Sequence, residues 1–233
     1  MCRFDRFHFE HPVYGSRRLA HQFGISRDKA RRLMHDLHLV ATYPKRKTTI
    51  PNHEHKKFPY LLRGVVPLYP NHIWSTDITY IGLSLGFVYL TAIIDWYSRM
   101  ILSWRLSNTM DVNFCIECLD EAFYKYGEPK IFNSDQGSQF TSPKFLSRFD
   151  GRATRNSMDG RGRWLDNVYI ERFWWTAKYE CTYLQGFESL PELQKGLEHF
   201  MNWYNDERKH SSLAYCVPSD VYSGRVELAE KDV

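Results

Sequence analysis

Between residues 73 and 106 large apolar residues recur in three runs, 73–81, 87–98 and 100–106, rich in Ile, Val, Tyr, Trp and Thr. β-Branched and aromatic residues suit a pleated, half-buried surface, and the short breaks between runs predict an antiparallel three-strand meander. The period then changes. Residues 112–126 have helical spacing, with Asp111 placed to cap the helix and Gly127 and Pro129 to end it. A short apolar strand at 130–133, a short helix from Pro143, a weak strand at 153–158 and a glycine-containing loop at 159–163 follow. Residues 167–180 and 190–206 are the last two long helical stretches.

Three strands, helix, strand, helix, strand and closing helices is an α/β order. It predicts a ribonuclease H-like fold, a mixed five-stranded sheet with flanking helices. The front of the chain has a different pattern. Residues 16–23 and 27–37 read as two helices joined by Gly24-Ile25-Ser26, with Ser26 as N-cap of the second. In that second helix Ile25, Ala30, Leu33, Met34 and Leu37 keep helical spacing while Arg27, Lys29, Arg31 and Arg32 fall on other faces. A short glycine turn and a basic second helix fit a helix-turn-helix suited to a DNA groove, and also a plain helical hairpin. The expected organisation is a helix-turn-helix-like domain at 1–42, a basic proline-rich linker at 43–70, a catalytic-type core at 71–225 and a tail at 226–233. The linker expectation rests on Pro44, Pro51, Pro59, Pro67 and Pro70, which block regular helix, with Lys45, Arg46 and Lys47 free to lie along phosphates.

Charge sharpens this division. Residues 1–70 carry 14 Lys/Arg against 5 Asp/Glu, while the remainder carries 17 against 22, so the basic part is the front. A front of that sign suits a polyanion. No apolar run is long enough to span a bilayer, and the expectation is a cytoplasmic, nucleoid-associated protein without a membrane partner. The five cysteines are odd in number and scattered, which argues for reduced thiols; Cys115 and Cys118 have no second Cys or His pair at zinc spacing.

Three acids carry the candidate chemistry. Asp77 alternates with large apolar neighbours in the first strand, Asp135 follows the fourth strand before a glycine turn, and Glu171 lies in a helical pattern. Carboxylates gathered within about 4 Å repel by on the order of 4 kcal/mol per pair at an effective dielectric near 20, so such a cluster needs a cation. Mg²⁺ takes oxygen ligands and keeps exchangeable waters, and two ions about 4 Å apart can activate an attacking hydroxyl and stabilise a leaving oxygen. Each acid also has a plain reading. Asp95 competes with Asp77, Asp135 is a possible turn former, and Asp159, Asp166 and Glu180 rival Glu171. Lys178 lies two helical turns after Glu171, nearly on the same face, where a cation can hold a phosphate. Trp174 and Trp175 are expected to fill core volume.

The segments HPVYGSRRLA, WSTDITYI, FVYLTAIIDWYSR, LSNTMD, IFNSDQGSQFTS, SMDGRGRWLDNVYIERFWWTAKYE and YNDERKHSSLAY resemble the downstream-frame (OrfB) transposase of two-frame bacterial insertion sequences, the IS-three family, within the retroviral-integrase superfamily. The resemblance spans nearly the whole chain. It implies that the family's acid triad falls on Asp77, Asp135 and Glu171 as catalytic metal ligands, and its phosphate-contacting lysine on Lys178. It implies DNA strand cleavage and strand transfer at element ends, dependent on two Mg²⁺ with Mn²⁺ able to substitute, through a 3′-hydroxyl nucleophile and no covalent protein–DNA intermediate. The implied partners are double-stranded DNA of the element ends and target, further copies of the chain on that DNA, and the upstream-frame (OrfA) product. The sequence departs from the family in four places. Its fifth strand, Arg152-Ala153-Thr154-Arg155-Asn156-Ser157, offers only Ala153 to a core, and Phe149-Asp150-Gly151 breaks the expected helix before it. The first helix is shortened between Leu19 and Ile25, and Lys209 and Ala214 replace a usual Pro and Gly. These departures keep a second expectation open, a catalytically decayed DNA-binding regulator of transposition.

Overall fold

The computed structural model describes residues 2–42, 57–84, 86–160 and 167–228. Lys45, Arg46 and Lys47, Asp166, and parts of the 159–163 loop and of the tail lie outside the described residues. The chain divides into two compact units, Met1–Pro51 and Asn52–Val233.

Three helices make the first unit: α1 (Cys2–Glu10), α2 (Ser16–Phe23) and α3 (Arg27–Asp36). Gly24 ends α2 at φ 60, a left-handed conformation that glycine adopts without a Cβ clash, and its N–H bonds to Ala20 and His21 carbonyls. Ser26 caps α3, its hydroxyl oxygen accepting from the Lys29 N–H at 3.2 Å. Phe4, Leu19, Ala20 and Ala30 are buried together, with Phe7, Phe23, Leu33 and Leu37 packed around them. The helix α1 was not foreseen from the sequence. It supplies the third wall that two short helices lack.

The second unit is built on one sheet of order β3-β2-β1-β4-β5. Strand β1 (Ile73–Leu83) pairs antiparallel with β2 (Gly86–Asp95), and β2 with β3 (Ile101–Ser107). Strand β4 (Ile131–Ser134) runs parallel to β1, and β5 (Arg155–Met158) parallel to β4. Helix α4 (Asn113–Tyr126) and the short α5 (Pro143–Leu146) precede β4 and β5; α6 (Val168–Ala177), α7 (Tyr183–Gln185), α8 (Leu190–Asp206) and α9 (Pro218–Tyr222) close the chain. The central strand is covered on both faces. Neighbours Ile73 and Trp74 are both fully buried, Ile73 with Ile170, Phe173 and Leu197 on one side and Trp74 with Leu119, Phe132 and Phe149 on the other. That is the two-residue period of a strand sandwiched between helices.

Two expectations are corrected here. Residues 57–70 are not all free linker, because Leu62 is buried in the second unit's core and the Leu61 N–H donates to Ser157 Oγ at 3.0 Å. In the fifth strand Ala153 is exposed, and the inward groups are Thr154, Ser157 and Met158. The polar strand forms nevertheless. It lies at the sheet edge, its backbone ladder with β4 runs from Arg155 to Met158, and Thr154 donates its hydroxyl to the Pro129 carbonyl at 2.8 Å.

Candidate active site at the edge of the central strands

The register of β1 and β4 brings the first two acids together. Ser75 lies opposite Asn133, and two residues further along each parallel strand direction come Asp77 and Asp135. Side chains two apart share a face, so both carboxylates rise on the same side. Asp77 is half-buried and its Oδ2 accepts from the Trp174 indole N–H at 3.0 Å. Asp135 Oδ1 accepts from the Gly137 N–H at 2.8 Å, and a Cβ at Gly137 would stand 2.8 Å from that same oxygen. Glycine at 137 is therefore what lets the carboxylate sit back against the turn.

Helix α6 brings the third acid. Trp174 anchors it to Asp77, and Glu171, three residues earlier in the first turn and exposed, lies beside them on the same flank. The acids sense one another. Burial first, then the charges of Asp135 and Glu171, push the Asp77 carboxyl up to about 6, against hydrogen bonds from Ile78 and Trp174. Burial also raises Asp135, opposed by the Gly137 N–H, and desolvation raises Glu171. Lys178 joins the same field: desolvation lowers its ammonium, Asp77 pulls it back up, and its Nζ lies 5.3 Å from the centre of the Tyr80 ring.

Three of the four rival acids have other partners, and the fourth, Asp166, lies outside the described residues. Asp95 is fully buried and accepts from the Asn71 N–H, the Ser98 N–H and the Ser98 hydroxyl, at 2.7–2.8 Å. Its task is to tie the strand-end turn. Glu180 is held by a two-point pair with Arg208, at 2.5 and 2.7 Å, and Asp159 accepts from Asn133 Nδ2 at 2.7 Å. Asp77, Asp135 and Glu171 make no ion pair among the described residues. Nor do any three His, Cys, Asp or Glu side chains among those residues stand close enough to form a finished metal cage. The donor set suits a hard cation by its chemistry, all carboxylate oxygens with uncompensated charge.

Other expectations resolve individually. Arg27, Lys29, Arg31 and Arg32 are all exposed on α3, Arg31 reaching Asp28 at 3.9 Å. Cys115 and Cys118 are buried and burial pushes both thiols up, which makes them inert packing groups. Trp174 is buried as expected, but Trp175 is 58 % exposed. Successive helical residues differ by about 100°, so two adjacent tryptophans cannot both face one core. The contacts of Trp174 and Gly137 with the acids were not foreseen; the one available signal was Trp174's spacing of three from Glu171.

Residues 67–163 match the integrase core domain, and residues 152–218 match a second integrase core domain family. The sheet order and flanking helices define the same class, a ribonuclease H-like integrase core. The catalytic core domain of HTLV-2 integrase, solved with magnesium, aligns at a TM-score of 0.55 with 21 % identity, covering 67 % of this chain and 99 % of that one. A simian T-cell lymphotropic virus intasome bound to a PP2A regulatory subunit aligns at 0.62 and 19 %, covering 97 % and 77 %. In sequence the chain is 31 % identical over 226 residues to the transposase for insertion sequence element IS904 of Lactococcus lactis, spanning 92 % of this chain and 89 % of that protein. The chain belongs to the insertion-sequence transposases of the IS-three family. None of its described helices is long and apolar enough to cross a membrane.

Proposed function

We propose that this transposase cuts and joins DNA strands at element ends and target using divalent cations held by Asp77, Asp135 and Glu171. The observation that carries the reading is the β1–β4 register, which sets two unpaired carboxylates side by side with a third on the adjoining helix. Burial first, and then like charges brought together without a cation, disfavour the ionised form of Asp77 and raise its carboxyl. Asp77, Asp135 and Glu171 would hold the cations, two Mg²⁺ or Mn²⁺ in their place, and the chemistry these would supply when bound is Lewis-acid activation and charge stabilisation. The chain's residues do the positioning. Trp174 and Gly137 fix the orientation of Asp77 and Asp135, while the exposed Glu171, free of any ion pair among the described residues, turns inward to complete the ligand set. Lys178 holds a phosphate next to the acids.

Arg27, Lys29, Arg31 and Arg32 bind duplex DNA, and Lys45, Arg46 and Lys47 extend that contact along the backbone. The active assembly is more than one copy on DNA, acting with the upstream-frame product. Asp135→Asn tests the assignment: it abolishes metal-dependent joining of an oligonucleotide carrying the element end and leaves salt-sensitive DNA binding in place. Equal joining by variant and wild type removes the site. The alternative, a decayed regulator, rests on all the departures from the family together; the polar fifth strand among them is paired with β4 along its length, while the break at Phe149-Asp150-Gly151, the shortened first helix and the replacements at Lys209 and Ala214 still favour it.

A further inference from the structure

Helix α6 and the turn after it present a second face that the acids do not use. Arg172, Trp175, Tyr179 and Tyr183 follow one another at spacings of three, four and four, which is one stripe of a helix. Trp175, Tyr179 and Tyr183 are 58 %, 53 % and 62 % exposed. Their rings form a continuous ladder, Trp175 stacked on Tyr179 at 4.7 Å and Tyr179 edge-on to Tyr183 at 5.2 Å. A π-helical turn, Lys178–Thr182, lies within the ladder. Such turns are rare and concentrate at functional sites.

Beside the ladder is a cavity of about 740 Å³ that Trp175 also lines. Among the described residues its wall includes Arg99, Arg172, Arg208, Ser211 and Ser212 and no carboxylate. Two of the guanidiniums are occupied. Arg208 is paired with Glu180, and Arg99 lies 3.8 Å over the Tyr169 ring with Asp95 close by. Arg172 is exposed and has no ion-pair partner among the described residues.

We propose that this face is a track for single-stranded DNA, its bases stacking on Trp175, Tyr179 and Tyr183 and a backbone phosphate entering the cavity at Arg172, Ser211 and Ser212. Exposed aromatic faces alternating with cationic groups suit nucleotides, because every base has a π-face and every step a phosphate. A second protein copy is the weaker fit, since Arg172, the wall's one guanidinium without an ion-pair partner among the described residues, calls for an anion, which a nucleic-acid backbone supplies at every step. The track borders the acids, because Glu171 and Lys178 are the sequence neighbours of Arg172 and Tyr179 on the same helical segment. It therefore lies where a strand separated at the reacting end would be led away.

This inference rests on DNA being the substrate, and it is tested by binding without cutting. The full chain is titrated in chelator against a fluorescent oligothymidine of about 12 nucleotides, a length within single-strand site sizes, and against a duplex of equal length. Trp175→Ala weakens single-strand binding about tenfold, Trp175→Phe restores it, and Arg172→Ala lowers the salt slope of single-strand binding by about 0.7. Tyr179→Ala carries the same test should Trp175→Ala fail to fold. Unchanged single-strand affinity in these variants overturns the track. So does a wild-type dimer that Trp175→Ala dissociates without altering oligonucleotide affinity, which would assign the ladder to contact between copies. A wild-type chain that never joins DNA yet shows Trp175-dependent single-strand binding fails the catalytic reading and keeps the track.

Discussion

Asp77 concentrates the conflict on which the site is built. It is half-buried, faces Asp135 and Glu171, and has no basic partner in direct contact, so its ionised form is disfavoured and its carboxyl rises from 3.8 to about 6. The sign of the stability effect follows from proton counting. Between pH 4 and 6 the folded chain holds a proton that the unfolded chain has lost, so this residue's contribution is present at low pH and disappears as pH rises through 6. At pH 7.5, without metal, the charged Asp77 therefore costs on the order of 3 kcal/mol. Asp77→Asn keeps an oxygen to accept from Trp174 and removes the charge. The expected result is a metal-free melting temperature about 6–12 °C above wild type at pH 7.5, converging with wild type by about pH 4, together with loss of strand joining. Added Mg²⁺ stabilises wild type and not the variant. A variant that melts at or below wild type at pH 7.5 contradicts the repulsion argument.

At the scale of elements, His210 shows how the closing helix is tied down. It follows α8, is 8 % exposed, donates its N–H to the Cys216 carbonyl at 3.2 Å and sets its ring edge-on to Tyr204 at 4.7 Å. Burial first, and then the Arg208 charge, push its imidazole down to about 4; the Tyr204 carbonyl and Glu180 oppose them, and Arg99 adds to them. A depressed imidazole is the neutral form kept by the fold, so its stabilisation is complete above pH 6.5 and falls away as pH drops toward 4. The stability of wild type relative to His210→Gln should therefore fall by on the order of 2 kcal/mol between pH 7 and pH 4, read by denaturant titration at each pH. A difference independent of pH would show that the imidazole is not buried neutral.

Which elements the sequence disclosed follows the same physics. Strands β1 to β3 were legible because β-branched and aromatic residues fill them, and β4 because the apolar pair Ile131-Phe132 precedes a turn. Helix α1 was hidden because Phe4 and Phe7 are its only strong apolar pair inward, with Phe9 85 % exposed. The π turn was invisible, since Lys178 to Thr182 contains nothing that a regular helix would reject. The acids' residue types were plain; spacing alone left Asp95 competing with Asp77, the family resemblance favoured Asp77, and the three hydrogen bonds that occupy Asp95 are consistent with that choice.

The whole molecule separates its charge. The first 70 residues carry nine net positive charges and the remainder five net negative ones. In the described part of the front unit, α3 exposes four cations, while its inward residues, Ala30 and Leu33 among them, pack against α1 and α2. That division lets the exposed face of α3 be altered without touching its core, so the proposed DNA contact can be tested apart from the proposed chemistry. A contact with phosphate releases counterions, so each one adds about 0.9 to the slope of log affinity against log salt on duplex DNA. Replacing Arg27 and Arg32 together by alanine should lower that slope by about 1.8, measured by anisotropy from low to moderate salt, with little change in melting temperature. Two further outcomes are informative. A loss confined to element-end sequence, with the slope unchanged, assigns these arginines to base edges instead of phosphates. Unchanged slope and unchanged sequence preference would mean that α3 does not touch DNA at all, and the net positive charge of the front would then need another polyanion to explain it.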